Sequence, residues 1–120
     1  MKYDALCKNA LELDSLIRFT GVMNDFGELY SDFYKEGVYK LLNSDEIRMS
    51  LHYTLQRREN VANLSYKIGS EKYTITEYDK VTLICIPINE KELFLLSTEP
   101  KADYFGIISK VNSLIKNYSG

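Results

Sequence analysis

The sequence predicts an α+β fold in which helices cover both faces of one sheet, a three-layer sandwich formed by residues 1–120 as a single domain. Three observations lead there. Two segments, Val81 to Ile88 and Leu93 to Leu96, are near-continuous apolar runs, as expected of strands buried on both sides. Three other segments carry apolar residues spaced by three and four, so helices are available to cover those sides. Short stretches of turn chemistry separate the β segments, which favours antiparallel neighbours. For a mass of 13.9 kDa, size scaling gives roughly 6,700 Å² of native surface, with about two-thirds of the unfolded surface buried, so a core forms without covalent staples.

Taken in order, Tyr3 to Leu13 places Tyr3, Leu6, Cys7, Ala10 and Leu13 on one stripe and reads as a first helix, interrupted at Asp14-Ser15. Leu16 to Met23 alternates, with Ile17, Phe19, Gly21 and Met23 on one face and Leu16, Arg18, Thr20 and Val22 on the other. Asn24 to Gly27 is a hairpin turn, and Glu28 to Tyr34 is the returning strand. Lys35 to Asn43 has no period and reads as a loop. Ser44 is the expected N-cap of a long helix, supported by Asp45 and Glu46 at its positive end. Its sheet-facing side carries Ile47, Leu51, Thr54, Leu55, Val61 and Ala62, and Gly69 stops it after about Ile68. Three strands follow at Glu71 to Tyr78, Val81 to Ile88 and Glu92 to Thr98, with turns at Asp79-Lys80 and Asn89 to Lys91. Asp103 opens a last helix whose stripe is Tyr104, Ile107, Ile108, Val111, Leu114, Ile115 and Tyr118. The order is α-β-β-α-β-β-β-α.

Composition removes several function classes. Lys and Arg number 15 against 17 Asp and Glu, so the chain lacks the positive charge that drives nucleic-acid binding. Two cysteines cannot make a disulfide framework or a four-cysteine zinc site, and a reducing compartment fits them. Neither the roughly 7 to 15 apolar residues of a signal peptide nor a membrane-length apolar run occurs, so no membrane is expected and the cytoplasm is the expected location. Asn63 and Asn117 open N-x-[ST] triplets that matter only in a secreted chain.

No catalytic signature is visible, and no cofactor or metal is expected. His52 is the single histidine, set beside Arg48, Gln56 and Glu59 on the solvated side of the long helix. Cys85, amid Leu83, Ile84 and Ile86, reads as core filler with a raised pKa. Ser113 and Lys116 match a serine/lysine spacing without its companion motifs. Phosphate-cradling glycine motifs are missing.

Two features of the long helix stand out. Arg58 falls within the sheet-facing stripe, where a bare charge is costly. Either its stem lies on the sheet with its head at the rim or paired with Glu77 or Asp79, or it is the anchor of a ligand pocket beneath the helix. On the far side, Met49, Tyr53 and Leu64 cluster where a monomer needs no apolar residues. Ten tyrosines and no tryptophan suit an interface, since tyrosine joins large contact area to a polar tip.

The helix and strand order resembles the roadblock, longin and profilin-like domains. That resemblance implies a five-stranded antiparallel sheet in the order 2-1-5-4-3, with the third strand at an edge where two protomers commonly join. The fragments Ile17-Arg18-Phe19-x-Gly21-Val22-Met23-Asn24, Glu36-Gly37-Val38 with Leu41-Leu42, Lys80-Val81, and Ser97-Thr98-Glu99-Pro100-x-Ala102-Asp103 are similar to a small archaeal (thaumarchaeal, ammonia-oxidiser) domain family of unknown function. The expectation is a homodimer in which Glu71 to Tyr78 pairs with its copy through Tyr73, Thr74, Ile75 and Thr76, and the two long helices meet at Met49 and Tyr53. A proline at Thr74 is expected to remove an inter-protomer donor. The roadblock likeness further implies a non-enzymatic adaptor that scaffolds or regulates a small GTPase, with Arg57, Asn60 and Leu64 as partner-binding residues. The rival class is a small-molecule sensor with a cavity around Arg58.

Overall fold

The computed structural model describes residues 3–119. It contains α1 (Asp4–Leu11), β1 (Ile17–Met23), β2 (Leu29–Tyr34), α2 (Ser44–Ala62), α3 (Ser65–Ile68), β3 (Thr74–Glu77), β4 (Thr82–Pro87), β5 (Leu93–Thr98) and α4 (Tyr104–Ser119). The five strands form one antiparallel sheet in the order β2-β1-β5-β4-β3, which leaves β2 and β3 at the edges. This is the α+β sandwich and strand order expected.

The side-chain alternation of the two central strands divides the interior into two cores. Phe94 and Leu96 of β5 with Ile84 and Ile86 of β4 point to one face, where α1 and α4 cover them with Leu6, Cys7, Ala10, Leu11, Ile107, Ile108, Val111 and Ile115. Leu93 and Leu95 with Cys85 and Met23 point to the other, where Leu51 and Leu55 of α2 lie against them. The polar groups of the first core are satisfied internally: Thr20 Oγ1 donates to the Cys7 carbonyl at 2.8 Å, and the Thr82 hydroxyl meets the Tyr104 hydroxyl at 3.0 Å.

Strict alternation fails at one point in β1. Ile17 opposes Thr98 while Phe19 opposes Ser97, so Arg18 is an extra residue on its strand. The bulge turns Ile17 into the α1/α4 core beside Val22, instead of onto the face of Phe19 and Met23. Arg18 is thereby aimed at Glu99, which it pairs at 2.5 Å, and at the Tyr39 carbonyl, fastening the loop before α2.

The hairpin turn forms as expected: Asn24 Oδ1 accepts from the amides of Phe26 and Glu28 at 2.9 Å, and Gly27 takes a positive φ of 80°. The start and end of the long helix differ from expectation. Its N-cap is Asn43, not Ser44, because the longer amide side chain reaches the Glu46 amide while Glu46 Oε1 returns to the Asn43 amide, a reciprocal capping box. The helix breaks after Ala62, and a turn at Asn63-Leu64 leads into the short α3, which Gly69 stops with φ 89°. Beyond the break Leu64, Tyr66 and Ile68 are exposed, and Ala62 is exposed rather than sheet-facing.

Candidate functional site

No residue of α2 is fully buried. Ile47, Leu51, Thr54, Leu55, Arg58 and Val61 are half-buried along the side expected to face the sheet. On the opposite side Met49 and Tyr53 are 55% and 61% exposed, and Leu64 at the helix break is 54% exposed. Asn60 shares that outward stripe with Met49 and Tyr53, at spacings of four and seven. Two of the expected interface residues, Met49 and Tyr53, and two of the expected partner-binding residues, Asn60 and Leu64, are therefore displayed together.

Strand β3 supplies the adjoining edge. It pairs with β4 in register Thr74↔Cys85, Ile75↔Ile84, Thr76↔Leu83 and Glu77↔Thr82. Just past its end the Tyr78 amide donates to the Val81 carbonyl at 2.8 Å. Because amide directions alternate along an antiparallel strand, the amides of Thr74 and Thr76 then also point to β4, and those of Ile75 and Glu77 point to the open edge. This corrects the expectation for Thr74: a proline there removes a bond inside the protomer, whereas Glu77 is where a proline removes an outward donor. The side chains split by face. Ile75 packs on the α1/α4 core, and Tyr73 meets Phe105 edge to face at 6.3 Å. Thr76 is exposed.

The two adjacent arginines of α2 have different surroundings. Arg57 holds Glu71 with a two-pronged ion pair, Nη1 to Oε1 and Nη2 to Oε2 both at 3.0 Å, which ties the helix to the segment leading into β3. That contact raises the Arg57 pKa above its ordinary value. Arg58 is paired with neither Glu77 nor Asp79. Its Nη2 donates to the Asn89 carbonyl in the β4–β5 turn, and among the described residues the guanidinium has no other hydrogen bond and no ion pair. Burial pulls its pKa down, partly offset by the charges of Glu71 and Asp25. Arg58 lines a groove of about 570 Å³ between α2, α3 and the β4–β5 turn, with Val61, Ala62, Pro87 and Ile88 as its apolar lining and Ser65 and Glu71 among its polar groups.

Sequence reasoning missed Glu71 and Asn89 as partners of these arginines. Glu71 precedes the strand, which begins only at Thr74 and not at the expected Glu71, and Asn89 acts through its backbone carbonyl, to which residue type is blind. Its side chain has a visible turn role, Oδ1 accepting from the amides of Lys91 and Glu92 at 2.9 Å.

The remaining candidates stay in the places expected of them. His52 is exposed beside Tyr53, and Ser113 bonds the Ser109 carbonyl on the exposed side of α4. Cys85 and Cys7 are free and buried, with thiols pushed up by burial to about 11 and about 12. Among the described residues no group of three His, Cys, Asp or Glu could hold a metal ion, and no helix is long and apolar enough to cross a membrane.

Known structures share this architecture. A Roadblock/LC7 domain from Streptomyces avermitilis superposes with a TM-score of 0.76 at 12% identity, over 97% of this chain and 93% of that one. The gliding protein MglB from Thermus thermophilus gives 0.76 at 9% identity, over 95% of this chain and 82% of that one. An MglB in a tetrameric arrangement gives 0.78 at 9% identity, over 96% and 83%. At such identities the likeness establishes the fold, which is that of roadblock/LC7 domains. No curated protein matches the sequence. The family of unknown function DUF6659 matches residues 1–118, so the chain belongs to that family and places it on a roadblock-like fold.

Proposed function

We propose that residues 1–120 work as one domain, a non-enzymatic cytoplasmic adaptor that forms a homodimer and holds a protein partner, with a small GTPase as the partner class. The observation that carries this reading is the apolar outward stripe of α2, Met49 and Tyr53 with Leu64 at the helix break, on the chain that also leaves β3 at an open sheet edge. A helix lying on a sheet has no need of apolar residues on its far side. The accessible surface supports the same reading. It is 7759 Å², about 1,000 Å² more than mass scaling gives, and a standard interface removes about 800 Å² per partner. The neighbour with a tetrameric arrangement is a member of the same fold that assembles.

In the proposed dimer, Ile75 and Glu77 offer their outward amides to the partner strand, Tyr73, Thr74 and Thr76 lie along the joined edge, and Met49 and Tyr53 meet across the axis. Asn60, Leu64 and the outer part of Arg57 then border the paired helices, where the partner docks. Light scattering at micromolar concentration is expected to give twice the chain mass, and a monomer overturns the dimer. For the partner, a pull-down from native extract is expected to return a GTPase whose purified form binds the wild type and loses Leu64→Lys; recovery of no GTPase overturns that assignment. A second reading, a small-molecule sensor, is favoured by the groove at Arg58.

A further inference from the structure

We propose that the groove between α2, α3 and the β4–β5 turn binds a small monocarboxylic acid with an apolar body, its carboxylate held by Arg58. The inference deepens the second reading above and does not depend on the dimer. It starts from an imbalance: Arg58 is half-buried and its guanidinium has five N–H donors, yet among the described residues it makes one bond, from Nη2 to the Asn89 carbonyl. Its neighbour Arg57 has both oxygens of Glu71, so that carboxylate is already engaged. The remaining donors of Arg58 fit the two oxygens of a carboxylate.

The walls define the rest of the ligand. Val61, Ala62, Pro87 and Ile88 offer an apolar lining for a hydrocarbon body, and the groove volume of about 570 Å³ falls within the range of small-molecule sites. Glu71 and Glu90 line the same groove, so a second negative charge is repelled there. Phosphates, nucleotides and dicarboxylic acids are thereby disfavoured, and a single carboxylate on a short apolar chain is the chemistry that satisfies both ends. The site also has a structural context: α3 exists because the chain breaks at Asn63-Leu64, and that turn sets Ser65 and Ser70 along the groove instead of continuing the helix axis past it.

The test uses the full chain and three probes of similar length: hexanoate, hexanamide and adipate. Amide-resolved NMR titration is expected to show saturable shifts from hexanoate at Val61, Ser65, Ser70 and Ile88. Hexanamide, which lacks the charge, and adipate, which carries two, are each expected to bind at least tenfold more weakly. Arg58→Met is expected to lower hexanoate affinity to the hexanamide level while its melting temperature stays near wild type. Equal binding of hexanoate and hexanamide, shifts located elsewhere, no saturation, or undiminished binding by a folded Arg58→Met each overturn the proposal. Should Arg58→Met not fold, the hexanoate–hexanamide ratio on wild type decides alone. Light scattering of the same samples is read separately, so a monomer that binds hexanoate removes the dimer and leaves the groove.

Discussion

The two faces of the sheet are built from the same strands yet are covered unequally. On the α1/α4 face, fifteen described residues form one buried cluster, and both helices contribute fully buried side chains. On the α2 face four described residues form the buried cluster, and α2 packs the half-buried Leu51 and Leu55 against it. Alternation along β4 and β5 gives each face a similar supply of apolar residues, so the strands do not cause the difference. The helices do. The α1 and α4 stripes are apolar almost throughout, whereas the inner stripe of α2 includes Thr54 and Arg58 and its apolar remainder is divided between inner and outer sides. A helix with two weakly apolar sides is held by whatever stands on each of them. The lesson is that one face of this sheet is closed within the protomer, whereas the other is only partly covered.

The largest effect that would break this comparison is truncation in the packed core. Phe94→Ala is expected to cost about 3–5 kcal/mol of folding stability, since the ring is wholly enclosed between α1, α4 and the sheet. Leu55→Ala on the other face is expected to cost less, about 1–2 kcal/mol, because that side chain is only partly buried. Denaturant melts of both variants check this, and equal losses would mean that α2 is as well anchored as α1 and α4.

Assembly sharpens the comparison next. Glu77→Pro is expected to convert the proposed dimer to a monomer at micromolar concentration with a melting temperature shift of only a few degrees, since the amide it removes faces the open edge. Thr74→Pro is expected to lower protomer stability instead, because its amide points to β4. Sedimentation run beside thermal melts separates the two outcomes.

Arg58→Ala is expected to cost about 1–2 kcal/mol. It removes stem packing and one charged hydrogen bond to Asn89, but among the described residues it strands no buried carboxylate, since none is paired with it. Arg58→Met is expected to stay within about 1 kcal/mol of wild type because most of the stem remains. Chemical melts check both.

The smallest effect is a difference in rate. Cys7 lies in the packed core and Cys85 under α2, and burial raises both thiols far above neutral pH, so neither reacts until its surroundings open. At pH 8 Cys85 is expected to be labelled at least tenfold faster than Cys7, as read by mass spectrometry of peptides. Faster labelling of Cys7 would reverse the order of the two faces.

Much of this architecture was legible in local pattern. The stripes of α1 and α4, the double-faced strands β4 and β5, the Asn24–Gly27 turn and the Gly69 stop rest on periodicity and backbone preference, which neighbouring residues fix by themselves. The interface candidates Met49 and Tyr53 were legible for the same reason, since helical angle alone sets them opposite the sheet, whereas Leu64 is exposed in the turn beyond the helix end. Glu71 and Asn89 were not, because their roles depend on segments distant in sequence arriving at α2.

By itself, then, the sequence determined element type, order and most side-chain facing, all of which follow from interactions within a few residues. Tertiary structure alone decided four things: the Arg18 bulge that moves Ile17 between cores, the break of the long helix at Asn63-Leu64, the amide directions at the β3 edge, and the partners of Arg57 and Arg58. Each depends on how the sheet twists and where a distant turn lands. Geometry of that kind is set by all the packed elements together, and no short window of residues encodes it.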